Sequence, residues 1–107
     1  MKVNPVAYVS VLELIEDFGD YGEQILSTKL VYSGKEIIYP LSQNIVKEQF
    51  GITISSPHKV IIKRPLPKDV PLRVAFGGKS YDVVGRSDYN TLNILVIDTS
   101  AEVEYGK

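Results

Sequence analysis

The sequence predicts an all-β fold, a small antiparallel β-barrel or sandwich of about six strands with one short helical or loop insert. Three observations point there. Two alternating runs, Leu72-Arg73-Val74-Ala75-Phe76 and Lys79-Ser80-Tyr81-Asp82-Val83-Val84, are hinged on Gly77-Gly78. That pair suits a type I′ turn, whose two central residues both need positive φ. Short apolar and β-branched runs recur between turn residues with no βαβ alternation, which argues for antiparallel pairing. One stretch alone, Pro40 to Gly51, changes to a helical period.

The elements follow in chain order. Tyr8 to Phe18 is rich in Val, Leu and Ile and ends in Asp17-Phe18-Gly19-Asp20-Tyr21-Gly22, the composition of a hairpin loop. Gln24 to Tyr32 carries β-branched Ile25, Thr28 and Val31 and reads as the returning strand. Ser33-Gly34-Lys35 is expected to interrupt it, with Glu36 to Tyr39 as a continuation. In the next segment Leu41 and Ile45 are four apart, as are Val46 and Phe50, with polar Gln43, Asn44, Lys47 and Glu48 between them. Ser42 suits an N-cap and Gly51 a C-terminal stop. A helix this short is marginal alone. The segment therefore either packs on the body or is a mobile loop that becomes ordered in an assembly. Ile52-Thr53-Ile54 and Lys59-Val60-Ile61-Ile62-Lys63 read as strand pieces around Ser55-Ser56-Pro57, whose proline marks an edge or a bend. Pro65, Pro67 and Pro71 form a stiff connection into the glycine hairpin. Arg86 to Asn90 reads as the next turn, and Leu92 to Ile97 as a central strand.

At 107 residues the chain is expected to form a single β-barrel domain over 1–107, with an insert projecting at about residues 35–56. A hydrophobic share of 44% and a charged share of 23% are ordinary for a globular protein. No apolar run approaches the roughly 20 residues that span a bilayer, and Met1-Lys2-Val3-Asn4-Pro5 has no apolar core of a signal peptide. The expectation is a chain that stays in the cytoplasm where it is made. With no cysteine there are neither disulfides nor thiolate metal sites. The net charge of -1 argues against tight nonspecific binding to duplex DNA. Beneath that balance lies an asymmetry. Glu13, Glu16, Asp17, Asp20 and Glu23 make the first quarter acidic, whereas Lys59, Lys63, Arg64, Lys68, Arg73 and Lys79 crowd a later segment. Such a chain either solvates its strand faces with charge or meets itself or other partners at opposite ends.

Catalytic patterns are absent from the sequence. His58 is the only histidine and has no second ligand or relay partner at a recognisable spacing. Asp17 and Asp20 lack the remaining positions of a calcium loop. Ser55 and Ser56 lack a nucleophile-elbow context, and no P-loop or dinucleotide fingerprint occurs. The chain is expected not to be an enzyme and to need no cofactor or metal. Seven tyrosines, Tyr8, Tyr21, Tyr32, Tyr39, Tyr81, Tyr89 and Tyr105, could stack on bases beside the basic segment, but they equally suit half-buried sheet faces and subunit interfaces.

Taken together, the motifs form a more specific pattern: an acidic first strand, the turn Asp20-Tyr21-Gly22-Glu23, Tyr39-Pro40-Leu41-Ser42-Gln43 opening a polar amphipathic segment, a proline connection, Phe76-Gly77-Gly78-Lys79-Ser80-Tyr81-Asp82-Val83-Val84, and a last apolar strand. Over about residues 8 to 98 this order resembles the head completion proteins of long-tailed phages, also called head closure or stopper proteins. Phe76 stands where that family tends to have tyrosine. The resemblance implies a structural protein of a phage or prophage neck, located in the virion neck and in the host bacterial cytoplasm during assembly. It implies a ring of identical copies, twelvefold in the virion, below the portal and its adaptor. Such a ring closes the DNA channel after packaging, touches the packaged DNA without reading its sequence, and offers a docking surface to a tail-side protein. It implies no contact with a membrane. The part matching the gating segment includes Pro40, Leu41, Ser42, Gln43, Lys47, Glu48 and Gln49, with Gln43, Lys47 and Glu48 as polar contacts between neighbouring copies. The competing class is a stand-alone β-barrel module that binds single-stranded nucleic acid or a peptide.

Overall fold

A computed structural model describes residues 6–89 and 91–103. Its elements are β1 (Val6–Phe18), β2 (Gln24–Pro40), α1 (Gln43–Phe50), β3 (Pro57–Ile62), β4 (Leu72–Phe76), β5 (Lys79–Asp88) and β6 (Asn93–Val103). The fold class is the expected one, small and all-β. The strands pair antiparallel in the order β1-β2-β3-β6-β5-β4, and β4 returns to β1 to close a barrel. Closure removes most of the open edges that a small sheet would otherwise present.

Period-2 alternation explains the core. Val9 and Val11 of β1, Val60 and Ile62 of β3, and Leu95 and Ile97 of β6 are wholly buried, each pair two residues apart and on one face. The buried polar groups are satisfied: Ser80 Oγ donates to the Val103 carbonyl at 2.9 Å, and Asn93 Nδ2 to the Arg64 carbonyl at 2.6 Å. Gly77 and Gly78 have φ of 60° and 77°, as the tight turn between β4 and β5 requires.

Several boundaries differ from the sequence reading. β2 is not interrupted at Ser33-Gly34-Lys35; it runs to Pro40, so the segment outside the sheet spans 41–56 rather than 35–56. Its irregularity is a bulge at Val31, since Val11 pairs with Tyr32 and Leu12 with Leu30. Ile52-Thr53-Ile54 joins no strand. Pro57 opens β3, a position where a missing N–H costs no ladder bond. Arg86 to Asp88 belong to β5, with Arg86 opposite Leu95, and the turn follows at Tyr89, whose N–H donates to the Leu92 carbonyl at 2.7 Å. Asn90 and Tyr105 lie outside the described residues.

What projects is the β1–β2 hairpin. β4 pairs with β1 only over Ser10 to Glu13, and β3 pairs with β2 only over Ile38 to Pro40. Beyond those limits β1 and β2 continue as a two-stranded arm, and the molecule measures 55 × 29 × 28 Å. The arm ends in a loop closed by Gly19 N–H to Glu23 O at 2.8 Å, with Gly22 at φ 80°.

Candidate functional site

The segment between β2 and β3 is a helix held at both ends. Ser42 is its N-cap and accepts from the Ile45 N–H at 3.1 Å, leaving fewer donors of the first turn unpaired. Gly51, left-handed at φ 70°, donates its N–H to the Lys47 carbonyl at 2.9 Å. The flanks are tied down as well. Leu41 N–H donates to the Pro57 carbonyl at 3.0 Å, and Gln43 Nε2 to the Ser55 carbonyl at 2.9 Å.

One face of α1 meets the barrel. Val46 is fully buried, and the Phe50 ring rests on β5 at Gly85, where a Cβ would come within 3.0 Å of it. Glycine is thus the seat that lets the aromatic ring approach the sheet. A groove of about 480 Å³ runs between helix and barrel, lined by Leu41, Ile45, Gln49 and Phe50 against Lys59, Ser87, Tyr89, Ile94 and Val96. Val96 points away from the barrel interior, yet it is only 1% exposed. The helix side therefore accounts for the unbroken apolar run of β6, which is covered on both faces.

Of the residues singled out in the sequence, Pro40 ends β2 opposite His58, Leu41 is half-buried in the groove, and Ser42 caps the helix. Gln43, Lys47, Glu48 and Gln49 are exposed, together with Asn44. The structure brings these polar side chains onto one short helix on the barrel flank.

A polar bracket fixes the return from this segment. Ser56 N–H donates to Asp98 Oδ1 at 3.1 Å, Ser56 Oγ and Thr99 Oγ1 lie 2.8 Å apart, and His58 Nδ1 is 3.1 Å from the Ser56 carbonyl and 3.3 Å from Thr99 Oγ1. Asp98 Oδ1 also accepts from Ser100 Oγ at 2.6 Å and Ser100 N–H at 3.0 Å. The Ser100 hydroxyl, followed by backbone N–H groups of Ser100, Ser56 and Ser55, holds this carboxyl below the usual aspartate range against the opposing effect of burial. The carboxylate thus anchors the chain between helix and β3 to β6. On β2, the Tyr32 hydroxyl donates to Glu36 across Gly34, and that bond, with burial and the Glu36 charge, raises the Tyr32 pKa while Arg64 opposes the rise.

The tyrosines are dispersed. Tyr81 is in the core, Tyr21 is 97% exposed at the arm tip, Tyr89 lines the helix groove, and Tyr39 lies under the Lys59 ammonium, 5.6 Å from the ring centroid. The described tyrosines do not assemble into one stacking surface. No group of three or more metal-ligating side chains occurs among the described residues, and no helix among them is long and apolar enough to cross a membrane.

No family model and no curated protein matches the chain. Solved structures include chains of similar fold. Protein SF1141 from Shigella flexneri 2a, determined in solution, superposes with a TM-score of 0.64 over 96% of this chain and 100% of that one, at 13% sequence identity. A likeness at that identity is one of fold.

The sequence pattern predicts the β1–β2 hairpin but not the arm that it forms. Its signal was present in the length of the β1 and β2 runs and in the acidic cluster at their tip, but local pattern does not tell where a strand pair leaves its sheet.

Proposed function

We propose that this chain is a head completion, or stopper, protein of a long-tailed phage or prophage neck. It acts as a ring of copies below the portal and adaptor that closes the DNA channel and receives the tail. The observation that carries the reading is α1: a short helix, capped at both ends and attached to the barrel by Val46 and Phe50, whose exposed residues are polar apart from Ile45 at the groove. It forms the segment through which the sequence resembles a gating element.

In a ring, Gln43, Lys47 and Glu48 of each copy face the channel or the neighbouring copy. Lys47 and Glu48 carry opposite charges, so adjacent copies can pair across the seam without the ring gripping phosphate as a basic surface would. Displacing α1 gives up the Val46 and Phe50 contacts and the Leu41 and Gln43 hydrogen bonds but no pairing between barrel strands, so subunit contacts in the ring can hold it in a second position. No catalytic step, cofactor or metal enters this role.

The test is assembly of capsids with the protein withheld. The expected result is capsids that package DNA, lose it and accept no tails, with both defects repaired by adding the chain. Stable, tailed particles formed in its absence would reject the proposal. Binding of single-stranded DNA by the isolated chain in a mobility-shift assay would point to the binding-module class.

A further inference from the structure

A closed ring of identical copies is built from heterologous contacts, so each copy needs one surface that reaches and a different one that receives. We propose that the β1–β2 arm of each copy lies on the outer β2–β3 face of the next. This inference rests on the ring reading above and names the contact that would build it.

The arm is both acidic and apolar. Past the bulge, Leu12 pairs with Leu30, Leu14 with Thr28 and Phe18 with Gln24, which places Leu14, Phe18 and Leu30 on one face. Phe18 is 69% and Leu30 57% exposed. A two-stranded ribbon with an open apolar face is barely stable in water alone and gains from being covered. Glu16 is exposed on that face between Leu14 and Phe18, Asp17, Asp20 and Glu23 are exposed beside it, and Lys29 is the arm's own cation, opposite Glu13.

The receiving face has the opposite charge. Where β2 parts from β3, Ile37, Tyr39 and Ile61 line a shallow groove of about 110 Å³ bordered by Glu36 and Lys63. Lys59 covers Tyr39, Lys63 is exposed at the border, and Lys35 is exposed two positions before Ile37 on β2, while Arg64, also exposed, follows Lys63 and acts on Tyr32. Elsewhere in the basic segment, Arg73 is joined to Asp82 at 2.8 Å and Lys79 lies 3.9 Å from Glu102. Of the basic segment, Lys59, Lys63 and Arg64 thereby remain on the β2–β3 side and Lys68, also exposed, in the connection to β4. Among the described residues the β2 edge from Gln24 to Ile37 pairs with no strand other than β1, and Ile37 at the groove is 37% exposed. An acidic apolar arm on a basic apolar groove is complementary in both respects, whereas arm against arm or groove against groove sets like charges together.

Charge reversal tests the contact. One variant of the full chain carries Glu16→Lys, Asp17→Lys and Asp20→Lys; another carries Lys59→Glu, Lys63→Glu and Arg64→Glu. Sedimentation at low salt over a wide concentration range should show self-association of the natural chain. Each variant alone should lose about tenfold or more of it, while an equal mixture of the two, or one chain with all six changes, should recover it. Recovery also shows that both variants are folded. Association unaffected by either reversal, or a mixture no better than its components, overturns the arm contact and leaves the ring reading to the neck experiment. A natural chain that stays monomeric at every concentration overturns the contact as well.

Discussion

β1 and β2 serve two regions of different character. Inside the barrel, Val9, Val11 and Ile38 are at most 3% exposed; in the arm, Phe18 and Ile25 are 69% and 46% exposed on the same two strands. Strand propensity is equally good in both stretches, so propensity does not account for the difference. Closure does: β4 joins β1 over Ser10 to Glu13 and β3 joins β2 over Ile38 to Pro40 around a filled interior, whereas towards Phe18 and Gln24 the two strands pair only with each other. The barrel fills its own interior, whereas in the single chain the arm leaves Phe18 and Ile25 exposed.

The contrast is most easily broken in the core. Leu95→Ala leaves a cavity inside the barrel and should destabilise the isolated chain by about 2–5 kcal/mol in chemical denaturation. Phe18→Ala should stay within about 0.5 kcal/mol of the natural chain. Similar losses from the two substitutions would mean that the arm folds back on the body. Replacing Gly77-Gly78 with Val-Val should cost on the order of a few kcal/mol, because β-branched residues tolerate positive φ poorly; an unchanged melting temperature would contradict the turn.

The helix lies between these extremes. Gly85→Val fills the seat of Phe50, and amide exchange should show lost protection from Val46 to Phe50 with the strands unaffected. Protection lost equally in β6 would show that helix and barrel unfold as one unit. Ser42→Ala removes the cap and should cost about 1 kcal/mol, confined to the same segment.

The smallest effect is set by pH. The Asp98 carboxyl titrates lower in the folded chain than in the unfolded one, so its contribution is complete above the unfolded aspartate range and is lost as pH falls through the lower folded value. Asp98→Asn should lower stability at neutral pH and flatten the acid limb of the stability curve. A variant whose acid limb matches the natural one would remove Asp98 as the anchor of the Ser56 turn.

The readable parts of the fold were those with local causes. Gly77-Gly78 has a conformational requirement, Ser42 and Gly51 have capping roles, and the Leu92–Ile97 run shows double burial. The parts that were not readable depend on distant partners. Whether Ser33 to Lys35 interrupts β2 is decided by pairing with β1, and the bulge that absorbs the irregularity falls at Val31 instead. Ile52-Thr53-Ile54 has strand composition but joins no strand. The polar residues of the candidate site were legible as the gaps in a helical period, whereas Gly85, the residue that seats the helix, lies on β5, thirty-five positions beyond Phe50, and gave no signal of that role.

The central claim is that the helix, and not the barrel, closes the channel. Replacing Gln43 to Gln49 with a brief Gly-Ser link keeps the strands on either side and their core. DNA retained in capsids assembled with this shortened chain, compared with capsids carrying the natural one, measures the claim directly. The account predicts that the shortened protein takes its place in the neck and that the capsids package DNA but leak it. Equal retention, with the shortened protein shown to be at the neck, would contradict it.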